Sequence, residues 1–162
     1  MSTLLERLRK YKDDRGMMAN LRCILVENKK HRAWPALSRL GIEVGNDISA
    51  CVAGLYATHP DEVSSGNFGA TCKVIEQKRG DKRGDDNKLT STERRFQHLL
   101  AASRTEIMDR VKCIVLMAKS QGVPVNYTQL ATDLHYWSDR TKTEWAASFW
   151  TPGVEPASEE DV

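Results

Sequence analysis

Four histidines, four cysteines and the aspartate pair Asp85-Asp86 are the first residues of this 162-residue chain to weigh for acid–base, thiol or metal chemistry. Catalysis needs a nucleophile, base or metal held in mutual geometry, and metal ligands usually announce themselves by short, repeated spacings. Neither pattern is present. His31, His59, His98 and His135 fall in four separate segments, with no HxxxH or HxD among them. His59 precedes Pro60 at a helix end, which predicts a capping or surface role. Cys23, Cys51, Cys72 and Cys113 form no CxxC pair and none stands beside a histidine. In a reducing cytosol, the compartment expected here, such thiols read as small buried hydrophobes. Asp85 and Asp86 lie in a segment without apolar residues, a poor place to hold a metal. No P-loop, GxGxxG or GxSxG is present. The expectation is a protein that is not an enzyme and has no catalytic residue, metal or cofactor.

The remaining chemistry is that of cations. The net charge of +2 includes Glu155, Glu159, Glu160 and Asp161 in the last twelve residues, where no base occurs, so residues 1–150 carry +6. Residues 1–40 hold ten Lys or Arg against four Asp or Glu. A basic body with an acidic tail suits a polyanion binder. No apolar run is long enough to span a membrane and the first residues lack a signal-peptide core, so no membrane partner is expected.

The elements that must position these cations read as helix after helix. Apolar spacing predicts helices over 3–12 and 17–26, and Trp34-Pro35 opens a short one that Gly41 closes. Asn46 or Asp47 caps a helix through Thr58, and Gly66-Asn67 starts another running to about Lys78. Residues 78–88 contain no apolar side chain, which predicts a mobile charged loop over 79–88 between an N-terminal bundle, 1–78, and a C-terminal bundle, 89–150. The Arg79-Gly80-Asp81 triplet inside it carries no weight in a cytosolic chain. Thr90-Ser-Thr-Glu93 and Ser103-Arg-Thr-Glu106 are capping boxes. The helix over 105–121 stops at Gly122 and Pro124. Asn126 caps 127–137, and Ser138 or Asp139 caps a last helix ending near Trp150. Residues 151–162 read as a disordered acidic tail. No alternating run makes a strand, so the fold class is all-α, roughly nine helices in two packed bundles.

Once the apolar faces are committed, Arg94, Arg95 and His98 are left at the start of the 90–102 helix, where backbone N–H groups already favour phosphate. Lys112 and Lys119, seven residues apart, share one face of the next helix. Arg22 borders the apolar face of the second helix, Lys29, Lys30 and Arg32 follow it, and Arg140 and Lys142 open the last. For any single cation, pairing to a neighbour such as Glu93 or Asp109 is an equal alternative. As a set they favour nucleic-acid backbone: Arg22, Lys29, Arg32, Arg94, Arg95, Lys112, Lys119, Arg140 and Lys142. Trp34, Trp137, Trp145 and Trp150 could stack bases, but Trp137 and Trp145 hold apolar-face positions and are expected in the core.

Several segments, in order, resemble the CasB family, the small subunit of the type I-E CRISPR surveillance complex Cascade. They are Arg-Ala-Trp-Pro-Ala-Leu-Ser-Arg-Leu-Gly at 32–41, Ala-Gly-Leu-Tyr-Ala-Thr-His-Pro at 53–60 and Gly-Asn-Phe-Gly at 66–69. Thr-Ser-Thr-Glu-Arg-Arg-Phe-Gln-His-Leu-Leu-Ala-Ala at 90–102 is similar to the family's S-x-E-R-R-F-x-x-L-L-A segment. Residues 122–137 and the closing Trp-Ala-Ala-Ser-Phe-Trp at 145–150 complete the likeness. It implies two helical bundles and a non-catalytic subunit, present as a dimer, touching the backbone subunit CasC and the large subunit CasA. It also implies contact with CRISPR RNA and target DNA, steadying their pairing and the R-loop during antiviral defence. By position it assigns Arg94 and Arg95 to the family's arginine pair and places Arg32 and Arg140 in matched segments. The family often shows more arginines in the second half of the 105–120 helix, where Cys113 and Met117 stand here. Two alternatives remain open on the residues alone: a helix-turn-helix DNA-binding regulator built from 127–137 and 139–150, and a purely structural protein–protein adaptor.

Overall fold

The computed structural model describes residues 3–84 and 86–151; all but the first residue of the acidic tail lies outside them. Nine α-helices run through the described residues: α1 Leu4–Lys10, α2 Arg15–Arg22, α3 Trp34–Arg39, α4 Asp47–Thr58, α5 Phe68–Arg79, α6 Ser91–Leu100, α7 Ile107–Gln121, α8 Tyr127–His135 and α9 Asp139–Phe149. Two 3₁₀ turns, Cys23–Leu25 and Lys30–Ala33, join α2 to α3. The extended chain contributes one isolated parallel bridge, Glu62 to Val125. The expected helix over 17–26 is shorter and ends in the first 3₁₀ turn.

Local chemistry accounts for most helix starts. Thr3 and Thr90 each form a reciprocal capping box, with Glu6 and Glu93. Asp14, Asn46, Asn67, Asn126 and Ser138 each accept a backbone N–H from the first turn of α2, α4, α5, α8 and α9. The expected box at Ser103 forms differently. The Ser103 hydroxyl donates to the Glu106 carboxylate at 2.8 Å, and α7 begins only at Ile107. Gly122 ends α7 in the left-handed region, φ 68°, where it costs no Cβ strain.

α4 is the axis of the fold. Residues Ala50 to Ala57 are all buried, as befits a helix apolar on every side. α2 and the first 3₁₀ turn cover one face, α8 and α7 the others. The second centre of packing is α5 against α9. There a Cβ on Gly69 would lie 2.0 Å from the carbonyl oxygen of Trp145, so glycine sets the closeness of the two helices. Phe68 and Trp145 complete that contact, ring centroids 5.3 Å apart. One continuous core takes side chains from α1 to α9, on both sides of 79–88. Several polar groups inside it are paired. The Tyr127 hydroxyl donates to the carbonyls of Leu55 and His59, His59 Nε2 meets the Val123 carbonyl at 2.6 Å, and Trp137 Nε1 donates to the Ala102 carbonyl. His59 caps the C-terminus of α4, one of its two expected roles, but it is buried rather than at the surface, and its ring ties α4 to the extended chain before α8.

Because the Gly69–Trp145 backbone contact leaves no room for a methyl group, Gly69→Ala is expected to destabilise the fold by about 2–3 kcal/mol. Thermal unfolding should show a Tm fall of roughly 5–10 °C, while Gly45→Ala, with open space around it, leaves Tm unchanged.

Candidate nucleic-acid interface

α6 is set by Glu93, whose side chain is buried, the residue being 3% exposed. Its carboxylate accepts the Thr90 backbone N–H at 3.0 Å, both Arg83 nitrogens at 3.0 and 2.6 Å, and Trp150 Nε1 at 2.9 Å. Arg83 therefore neutralises Glu93, and the guanidiniums of the next two residues do not. Arg94 donates to the Leu89 carbonyl at 2.8 Å, and Arg95 approaches the Met117 sulfur at 3.1 Å. Among the described residues neither has a carboxylate within ion-pair distance.

Both line a groove of about 780 Å³ between α6 and α7, with the end of α5 at its edge. Its rim also carries Arg79, Arg110 and His98, and Asp109 is the single carboxylate in the lining. The floor is the α7 face of Cys113, Ile114, Leu116 and Met117, with Leu116 44% exposed. Arg79 and Arg110 are the residues that sequence reasoning missed. Arg79 pairs with Asp81 at 3.0 Å, and Arg110 bridges the His98 carbonyl and Glu106 at 2.6 and 2.7 Å. A search for arginines one helical turn from the groove face of α7 would have singled out Arg110. Arg79 reaches the site only through the packing of α5.

The other predicted cations stand elsewhere. Lys112 projects from the opposite side of Asp109 into a separate cleft of about 340 Å³, where its Nζ donates to the Leu25 carbonyl at 2.8 Å. That cleft holds Lys30 and Lys112 against Glu27, Asp47 and Asp109, so it is not cationic. Arg22 donates to the Ala57 carbonyl at 3.1 Å, closing the end of α4. Lys29 and Arg32 are exposed around the second 3₁₀ turn, and Lys119 is exposed near the end of α7. Arg140 pairs with Glu144 at 3.1 Å, and Lys142 lies over the Trp137 ring, 5.6 Å from its centroid. The structure thus gathers Arg94 and Arg95 with Arg79 and Arg110, and leaves the rest outside this groove.

Cys51 and Cys72 are buried as expected, and burial pushes the Cys51 thiol up to about 12. Cys23 is half-buried. Cys113 departs from the expectation: it is exposed on the groove floor, because its position on α7 faces outward between Asp109 and Leu116. Trp137 and Trp145 are core residues, Trp150 is bound to Glu93, and Trp34 is 43% exposed beside His31. α9 buries Trp145 and Phe149 against α5 and α6, so the apolar face of this helix is unavailable to a DNA groove. No cluster of three or more His, Cys, Asp or Glu suited to a metal ion occurs among the described residues, and no helix there is long and apolar enough to cross a membrane.

The fold and the groove define an all-helical protein that presents a guanidinium-rimmed, apolar-floored cleft. Residues 17–150 match the profile of the CRISPR-associated protein Cse2, and the chain belongs to that family. Its fold is shared by a Cse2-family CRISPR-associated protein from Thermus thermophilus, at a TM-score of 0.72 and 20% identity over 91% of this chain and 95% of that one. CasB from Thermus thermophilus aligns at a TM-score of 0.69 and 20% identity, over 91% and 95% of the two chains. CasB from M. ruber aligns at 0.66 and 20% identity, over 99% and 98%. No curated protein sequence matches.

The Arg83 guanidinium, joined by the Thr90 N–H and the Trp150 indole, holds the Glu93 carboxyl down to about 2, against an ordinary value of 4.5. A depressed folded-state value means stability that is complete above about 4.5 and is lost as pH falls toward 2. Urea unfolding across that window should show this loss in the natural chain and a flatter profile in Glu93→Gln. Glu93→Ala should cost about 2–3 kcal/mol at neutral pH, since Arg83 and the indole lose their acceptor.

Proposed function

We propose that this chain is the non-catalytic small subunit of a type I-E Cascade complex, and that it grips a sugar–phosphate backbone to stabilise guide RNA–target DNA pairing and the R-loop. The observation that carries this reading is the groove at α6: four arginines on its rim, one carboxylate in its lining, and no carboxylate partner for Arg94 or Arg95 among the described residues. Family membership supplies the setting. In it the partners are CRISPR RNA, target DNA, the backbone subunit CasC, the large subunit CasA and a second copy of the chain.

The physics suits a subunit of this kind. Sequence is read by base pairing, and exchanging DNA duplex for RNA–DNA heteroduplex is nearly balanced, so a few backbone contacts decide whether the opened state persists. Guanidiniums bind phosphate bidentately and stay charged at any working pH. Arg94 and Arg95 project from a helix whose first turn is already bound by its own cap, so they meet a ligand without first breaking an ion pair. The cations outside the groove, exposed Lys29, Arg32 and Lys119 and half-buried Lys142, add a weaker and more diffuse attraction.

Arg94→Glu with Arg95→Glu should weaken single-strand binding and shorten R-loop lifetime in the assembled complex, with helix content unchanged by circular dichroism. Each phosphate that the protein neutralises adds about 0.7–0.9 to the steepness of log affinity against log salt, so the double variant should give a shallower line. A flat salt dependence in the natural chain would leave the protein–protein adaptor as the better reading.

A further inference from the structure

We propose that the acidic segment 155–161 seats in the groove between α6 and α7, against Arg79, Arg94, Arg95 and Arg110, and is displaced when a phosphate backbone binds there.

The described chain ends against α6, the helix that forms one wall of the groove. Trp150 Nε1 donates to Glu93 at 2.9 Å, and its ring packs on Phe96 at 5.3 Å, so the chain leaves α9 against the inward face of α6 and must pass round this helix to reach Arg94. Thr151 is exposed and still bound to the last turn of α9 through the Ala147 and Ser148 carbonyls. The ten residues from Pro152 to Asp161 reach at most about 33–36 Å. The groove face of α7, from Asp109 to Ser120, is about 16 Å long. Reach is therefore ample.

Charge is complementary in sign, with Arg94 and Arg95 free of any ion pair among the described residues. The segment carries Glu155, Glu159, Glu160 and Asp161 and no base. The groove carries four arginines and Asp109. Val154 and Ala157 supply apolar side chains for the floor around Leu116 and Met117. A tether this short raises the local concentration of the segment to the millimolar range, so contacts that are individually weak suffice for occupancy. The same weakness lets a polyphosphate chain, with closer-spaced charge and bidentate acceptors, displace it. Such an occupant covers exposed Leu116 in the absence of nucleic acid and filters out short or weak polyanions.

Cys113, exposed on the groove floor, makes the test direct. In the full chain carrying Ser158→Cys, mild copper–phenanthroline oxidation should form a disulfide to Cys113, identified by mass spectrometry of peptides. Neutralising the segment (E155Q, E159Q, E160Q, D161N) or adding a short oligothymidine should slow it at least about fivefold. Equal rates with and without those carboxylates, or cross-linking to Cys23 as readily as to Cys113, would overturn the proposal. The arm that neutralises the carboxylates needs no nucleic-acid binding, so it can succeed where the backbone-gripping reading fails, and the reverse. A second measurement uses the chain ending at Thr151, which should bind the oligothymidine about three- to tenfold more tightly at low salt, the gain shrinking as salt screens it. Unchanged affinity there also counts against the proposal.

Discussion

A buried carboxylate in need of partners organises the part of this protein that faces outward. Glu93 is almost wholly removed from water, and an ionised group there is tolerable only if its oxygens are saturated with donors. The donors come from three places: its own helix cap at Thr90, the loop residue Arg83 and the end of the last helix at Trp150. Satisfying one side chain thus pins the chain around Arg83 onto α6 and brings the end of α9 to the same point. It also fixes the rotation of α6 about its axis. With Glu93, Phe96 and Leu99 inward, Arg94 and Arg95 have only the outward face to occupy.

The groove is a by-product of how the core is divided. α4 is buried all round and must be covered on every side, which uses one face each of α2, α7 and α8. α5 and α9 close on each other at Gly69. α7 then has a strip, Asp109, Cys113, Leu116 and Ser120, that no other described helix covers, and α6 with the end of α5 forms the opposing wall. The resulting cleft is apolar beneath and cationic above. Such a surface suits an anionic, amphipathic chain.

Family membership and groove chemistry agree without depending on each other. The fold is shared at 20% identity, and in this chain it rests on apolar and small residues where helices touch and on Asn, Ser or Thr where they begin. This chain keeps two of the four groove arginines paired internally, through Asp81 and Glu106, while Arg94 and Arg95 have no carboxylate partner among the described residues.

What the sequence alone determined was whatever depends on residues within a turn of one another. The caps at Asn46, Asn67, Thr90, Asn126 and Ser138, the stop at Gly122 and the inward stripe of α7 were all legible, since capping and amphipathicity are set at spacings of three and four. Arg94 and Arg95 could be placed outward by the same logic. Pairings across long separations were not legible. Arg83 and Trp150 reach Glu93 from ten and fifty-seven residues away, and nothing local marks them as partners. Nor could spacing show that Arg79 and Arg110 would join Arg94 and Arg95, that Lys112 would turn to the Leu25 carbonyl, or that Cys113 would stay exposed. A helix has several outward faces, and which of them meet is decided by how whole helices pack about α4. Only the tertiary structure makes that choice, because it is a competition among buried surfaces distributed over the entire chain.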